Sequence, residues 1–106
     1  MDQLSPPANI VAAKLAALSH PTRLDILQHL STTDCCCCKD VVQRLDLAQS
    51  TVSQHLKILV DAGLVRYTPD RQRSRYEIDR AAVGELTNSL VGFMNACCAP
   101  SAGRRS

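Results

Sequence analysis

The chain has 106 residues, a net charge of +2 and 45% hydrophobic residues, with no Trp, one Phe and two Tyr. This describes one small domain with a single modest core, built from Leu, Val, Ile and Ala. No apolar run approaches the roughly 18 residues that a membrane span needs, and so small a charge permits a nucleic-acid partner without arguing for one.

The sequence opens MDQLSPPANIV, with an acid where a signal peptide carries Lys or Arg, which predicts a cytoplasmic protein with no membrane partner. In a reducing compartment the six cysteines are thiols, and they read as soft-metal ligands or redox sensors rather than a disulfide framework. Residues 1–8 and 99–106 read as flexible ends around one domain over 9–98.

Asn9 is placed to cap a first helix running to about Ser19, with Ile10, Lys14, Ala17 and Leu18 on one face. His20-Pro21 breaks it, because the residue before proline is pushed out of the helical region. Pro21 then suits the first position of a second helix, whose apolar face is Leu24, Ile26, Leu27 and Leu30. Residues 31–34, STTD, form a polar break in which Thr33 or Asp34 can cap the next helix. Val41, Val42 and Leu45 mark that short third helix, and Asp46-Leu47-Ala48 is a turn.

Residues 49–63, QSTVSQHLKILVDAG, form the most informative segment. Val52, Leu56, Leu59 and Val60 recur at spacings of three and four, and Gly63 stands where a helix-ending glycine belongs. The other face carries Gln49, Ser50, Thr51, Ser53, Gln54, His55 and Lys57. A merely solvated face is richer in Glu and Lys. These side chains are the kind that reach base edges in a major groove.

Residues 64–68 and 75–79 alternate polar and apolar, as strands do, around the turn-forming segment 69–74, PDRQRS. Arg66, Arg71, Arg73, Arg75 and Arg80 gather there. A hairpin with a basic tip beside a polar-faced helix reads as a wing next to a recognition helix. Arg71, Arg73 and Arg75 suit phosphate or minor-groove contact and the helix suits base reading. A last helix over 80–97 carries Val83, Leu86, Leu90, Phe93 and Met94, a stripe with little left in so small a chain to cover, and so a dimer interface. The expected fold class is mainly α with a small β-hairpin, a dimeric winged helix-turn-helix.

The segments LAALSHPTRLDILQHL (15–30), KDVVQRLDLAQSTVSQHLKILVDAGLV (39–65) and RQRSRYEID (71–79) resemble the ArsR/SmtB family of dimeric winged-helix repressors over about residues 8–98. The resemblance implies a homodimer on a palindromic double-stranded operator, with the first and last helices at the dimer interface. It also implies release when an inducer, commonly a metal or metalloid ion, binds.

The cysteines bear on the inducer. Residues 34–40 read DCCCCKD, and Cys97-Cys98 lie near the other end. A lone buried Cys is usually a small hydrophobe, but four consecutive residues on a helix cannot all face one core. Arsenic-responsive members carry Cys-x-Cys-Asp-Leu before the recognition helix. Aligning Asp40-Val41 with its last two residues puts Cys37 at the first cysteine and Lys39 at the second. The run still offers two Cys-x-Cys pairs, Cys35/Cys37 and Cys36/Cys38. Other members bind arsenite through vicinal cysteines near the C-terminus, the part Cys97-Cys98 could play. As(III) and Sb(III) are thiophilic, and thiolate clusters select soft ions. Two cysteines from 35–38 with one from 97–98, of the same or the partner subunit, would supply three thiolates.

Zinc- and cobalt-type members use His and carboxylates on the last helix, where this chain has Glu85 as its one acid and no His. Two alternatives stay open: thiol oxidation or persulfide bridging, and another soft ion such as Cd(II), Pb(II) or Cu(I). Cys35 and Cys38 also satisfy the Cys-x-x-Cys of thiol oxidoreductases, but that motif works on a βαβ scaffold and the chain before Cys35 reads as helical. No phosphate loop, Ser/His/Asp set or carboxylate pair suggests an enzyme, and no organic cofactor is called for.

Overall fold

The computed structural model describes residues 7–32, 38–69, 71 and 74–100. Five helices and one hairpin follow in chain order: α1 Ala8–Leu18, α2 Pro21–Ser31, α3 Cys38–Leu45, α4 Gln49–Asp61, β1 Val65–Thr68, β2 Arg75–Ile78 and α5 Arg80–Cys98.

The element boundaries follow local chemistry. Pro21 opens α2, and the N-cap is His20, whose Nδ1 accepts the N–H of Thr22 at 3.1 Å. The expected Asn9 cap is not formed: Pro7 is the N-cap of α1, and its carbonyl accepts the N–H groups of Ile10 and Val11 at 3.0 and 3.2 Å. Asn9 therefore lies inside the first turn. Thr33 and Asp34, the expected caps of α3, lie outside the described residues. Asp46 ends α3 in the left-handed region, at φ 56°, and its N–H donates to the Val42 carbonyl. A short polar side chain tolerates that conformation better than most. Asp79 caps α5, accepting the N–H of Ala82 at 3.0 Å.

One core holds these elements together. Ile26 and Leu30 from α2, Val41 from α3, and Val52, Leu56 and Leu59 from α4 meet Leu64, Val65 and Ile78 of the hairpin and Leu86 of α5. All are aliphatic. The strands are antiparallel, with Val65 opposite Ile78 and Tyr67 opposite Tyr76. Period-two alternation puts both pairs on one face, so the hairpin's inner end is buried and its tyrosines continue outward from the core. Beyond Leu86 the last helix leaves that core, with Val91 50%, Phe93 63% and Met94 50% exposed.

Candidate nucleic-acid interface and thiol sites

Helix α4 is placed by its buried stripe and fixed at its end by Gly63. Gly63 has φ +82°, its N–H donates to the Val60 carbonyl, and Leu64 N–H reaches back to the Leu59 carbonyl. These two bonds are the Schellman arrangement. A cation completes the end: Lys14 of α1 donates from Nζ to the Ala62 carbonyl at 2.6 Å. At the other end the N-cap is Ala48, which has no side-chain oxygen to satisfy the free amides of the first turn. Such amides suit a phosphate.

Between these ends Gln49, Ser50, Ser53, Gln54 and Lys57 are exposed and Thr51 is half-buried. Lys57 pairs with Asp61 one turn on at 3.2 Å, both well exposed. His55 lies on the flank of the helix. Its Nδ1 is 3.1 Å from Arg23 Nη1, and its ring packs on that of His20 at a centroid distance of 4.6 Å. It points to the junction of α1 and α2, away from the exposed polar row.

Arg71 and Arg75 are exposed at the wing, while Arg73 lies outside the described residues. Arg66 pairs across the strands with Glu77 at 3.7 Å, a surface contact of small energetic weight. Tyr67 and Tyr76 pack with ring centroids 5.2 Å apart, and Tyr67 Oη shares a hydrogen bond with Ser74 Oγ at 2.9 Å. The wing is therefore stiffened by aromatic packing near its tip.

Of the thiols, Cys35, Cys36 and Cys37 lie outside the described residues. Cys38 is free and half-buried at the start of α3. Its Sγ is 3.5 Å from Ser53 Oγ on α4. It also bears on β2: burial pushes the Tyr76 hydroxyl above its ordinary pKa, with Cys38 and then Tyr67 adding to the effect. Cys38 thus sits between the polar helix and the wing. Cys97 and Cys98 are free and exposed at the end of α5. Among the described residues no three His, Cys, Asp or Glu side chains gather as a metal site. The expected combination of thiols is therefore not assembled within the described part of one protomer. His29 Nε2 is buried with no hydrogen-bond partner among the described residues.

Three cations tie these elements together through contacts that sequence reasoning missed. Lys14 holds the end of α4, Arg23 Nε donates to the Ala17 carbonyl of α1 at 2.6 Å, and Arg80 Nη2 donates to the Ser31 carbonyl of α2 at 3.2 Å. Each places positive charge at the carbonyl end of another helix, where the helix dipole favours it. Lys14 carried a signal: it is the one charged residue in α1, ANIVAAKLAAL.

A groove of about 660 Å³ runs between α1 and α5, lined by Val11, Leu15, Leu90, Phe93 and Met94 among others. No helix among the described residues is long and apolar enough to cross a membrane.

Comparison with known proteins agrees with this geometry. A helix-turn-helix domain model matches residues 18–68. The chain is 38% identical over 88 residues to the HTH-type transcriptional regulator YgaV of Escherichia coli K12, covering 83% of this chain and 89% of that one. It is 34% identical over 76 residues to an arsenical resistance operon repressor of Staphylococcus aureus, covering 72% of each. The structure of an ArsR-like transcriptional regulator from Rhodococcus sp. RHA1 superposes with a TM-score of 0.74 at 25% identity, over 83% of this chain and 82% of that one.

Proposed function

The chain belongs to the ArsR/SmtB family of winged-helix transcriptional repressors, and on that footing we propose that it binds a palindromic operator as a homodimer and lets go when As(III) or Sb(III) binds its cysteine thiolates. As a DNA-binding regulator it is not an enzyme. The reading gives Gln49, Ser50, Thr51, Ser53, Gln54 and Lys57 the operator's major groove. It gives Arg71, Arg73 and Arg75 the phosphates. His55 acts from the flank of the same helix.

The observation that carries the inducer reading is the contact of Cys38 with Ser53. A ligand drawing on this thiol acts directly against a residue of the DNA-reading face, and tightly packed elements answer by shifting between discrete arrangements rather than bending smoothly. The donor set fits the ion in kind. Cys38, Cys97 and Cys98 are free thiols, and soft thiolates suit a soft trivalent ion. Cys35, Cys36 and Cys37 would complete the set with Cys38, with Cys97 and Cys98 as further ligands from the same or the partner subunit. The ion supplies up to three bonds to sulfur. The name of the staphylococcal relative supports an arsenical inducer. The apolar groove between α1 and α5, with the exposed Phe93 and Met94, supports a second copy as its cover.

Operator release tests the proposal, measured by fluorescence anisotropy on reduced protein against arsenite, Cd(II), Zn(II) and a polysulfide. Release by arsenite at micromolar concentration is expected. Release by polysulfide alone, reversed by dithiothreitol, would assign the thiols to redox sensing and refute the metalloid reading.

A further inference from the structure

His55 is held by an unusual join. Arg23 reaches it from α2, with Nη1 3.1 Å from His55 Nδ1, while Arg23 Nε donates to the Ala17 carbonyl at the end of α1. A guanidinium has only donors and stays charged in a protein. His55 Nδ1 must therefore accept, its ring is neutral, and its one proton sits on Nε2. His20 uses its own Nδ1 in the same way, accepting the Thr22 N–H, and its ring packs against His55 at a tilt of 53°. One guanidinium thus connects three helices, and its bond to α4 holds only while His55 Nδ1 carries no proton.

We propose that Arg23 is a positioning residue for operator binding: it bolts α4 to the α1–α2 junction through the neutral ring of His55, and protonation of that ring undoes the join. The inference rests on α4 being the DNA-reading helix. The groups that bear electrostatically on His55 are His20 at the α2 N-cap and Arg23 on α2, both able to carry positive charge. A proton on Nδ1 would set two donors face to face and add a cation to that cluster. Burial, followed by His20 and Arg23, accordingly holds His55 below its ordinary value of 6.5. A lowered native pKa means that the join is intact above that ordinary value and is lost as pH falls through the lowered one. The sign is diagnostic. Added positive charge ordinarily strengthens binding to DNA, whereas here acid should weaken it.

The test uses the full-length protein. Long-range ¹H–¹⁵N spectra should show His55 in the wild type with Nδ1 bare and Nε2 protonated. Arg23→Met should raise the His55 titration midpoint and weaken operator binding at pH 7.5 roughly tenfold, the scale of one hydrogen bond to a charged group. His55→Asn keeps an acceptor near the place of Nδ1 and cannot take a proton, so its operator affinity should lose the acid-side fall that the wild type shows as pH drops below the ordinary histidine value of 6.5. A protonated Nδ1 in the wild type, an unmoved titration in Arg23→Met, or an acid-side fall that persists in His55→Asn overturns the proposal. Should Arg23→Met fail to fold, the wild-type ring and the His55→Asn profile still decide. A wild type that binds no operator at any pH would overturn the DNA-reading role of α4 instead, with the ring tautomer reporting on the join alone.

Discussion

Replacing Gly63 with Ala tests how the end of α4 is built. Gly63 has φ +82°, and a Cβ added there would lie 3.2 Å from Lys14 Nζ. The left-handed backbone costs a non-glycine residue about 1–2 kcal/mol. The new methyl also crowds the ammonium that donates to the Ala62 carbonyl at 2.6 Å, and partly displacing such a charged hydrogen bond costs about 1 kcal/mol more. Gly63→Ala should therefore destabilise the protein by about 2–3 kcal/mol, a fall in Tm of roughly 10–20 °C for a domain of this size. The assay is urea denaturation at one fixed protein concentration, since association changes apparent stability. The two parts separate in a double-mutant cycle. In a Lys14→Met background, Gly63→Ala should cost only the backbone part, leaving a coupling of about 1 kcal/mol. Equal costs in the two backgrounds would refute the role given to Lys14. A total cost below about 0.5 kcal/mol would refute the backbone argument as well.

Other outcomes follow from the same structure. Arg71→Ala and Arg75→Ala should weaken binding to specific and random duplexes alike and lower the salt slope by about one each; a change in sequence preference would contradict the wing assignment. Cys37→Ser should abolish release by arsenite while leaving operator affinity intact, and full release from that variant would move the essential site to Cys97 and Cys98. A Cβ at Gly92 meets nothing within 4 Å in the protomer, so Gly92→Ala should stabilise α5 by up to about 1 kcal/mol yet weaken the dimer if α5 packs on a second copy, as sedimentation would show; stabilisation with no effect on association would place the interface elsewhere. Leu56→Ala removes a fully buried side chain from the centre of the core and should cost about 2–5 kcal/mol by thermal unfolding.

The parts of this fold that were legible in the sequence are those written in local chemistry. Pro21 after His20, Gly63 after an apolar stripe, and alternation on either side of PDRQRS specify a helix start, a helix end and a hairpin without reference to any distant residue. The polar row from Gln49 to Lys57 was legible for the same reason, since the helical period alone separates it from Val52, Leu56 and Leu59. Long-range geometry was not legible. Nothing local shows that His55 leaves that row for Arg23, because the rotation of α4 against the α1–α2 junction decides it. Lys14 counted only as a member of an apolar face. The ammonium at its tip finds the Ala62 carbonyl at the end of α4, a partner on another helix. Asn9 was a sound cap by type but stood two residues too late, because the chain turns helical directly after Pro7. The pairing of thiols depends on where α3 and α5 bring their ends, and on residues 35–37. Spacing along the chain cannot supply that.

The 19 residues of α5 make a rod about 28 Å long, and its two ends do different jobs. Asp79 and Arg80 root it at the base of the wing, while Cys97 and Cys98 ride at the tip. A rod of that length works as a lever. A swing of roughly 10° at its root carries the tip through about 5 Å, more than the diameter of a sulfur atom. On the proposed reading, capture of the thiols at the tip would go with only a slight turn at the wing, the part assigned to the DNA backbone.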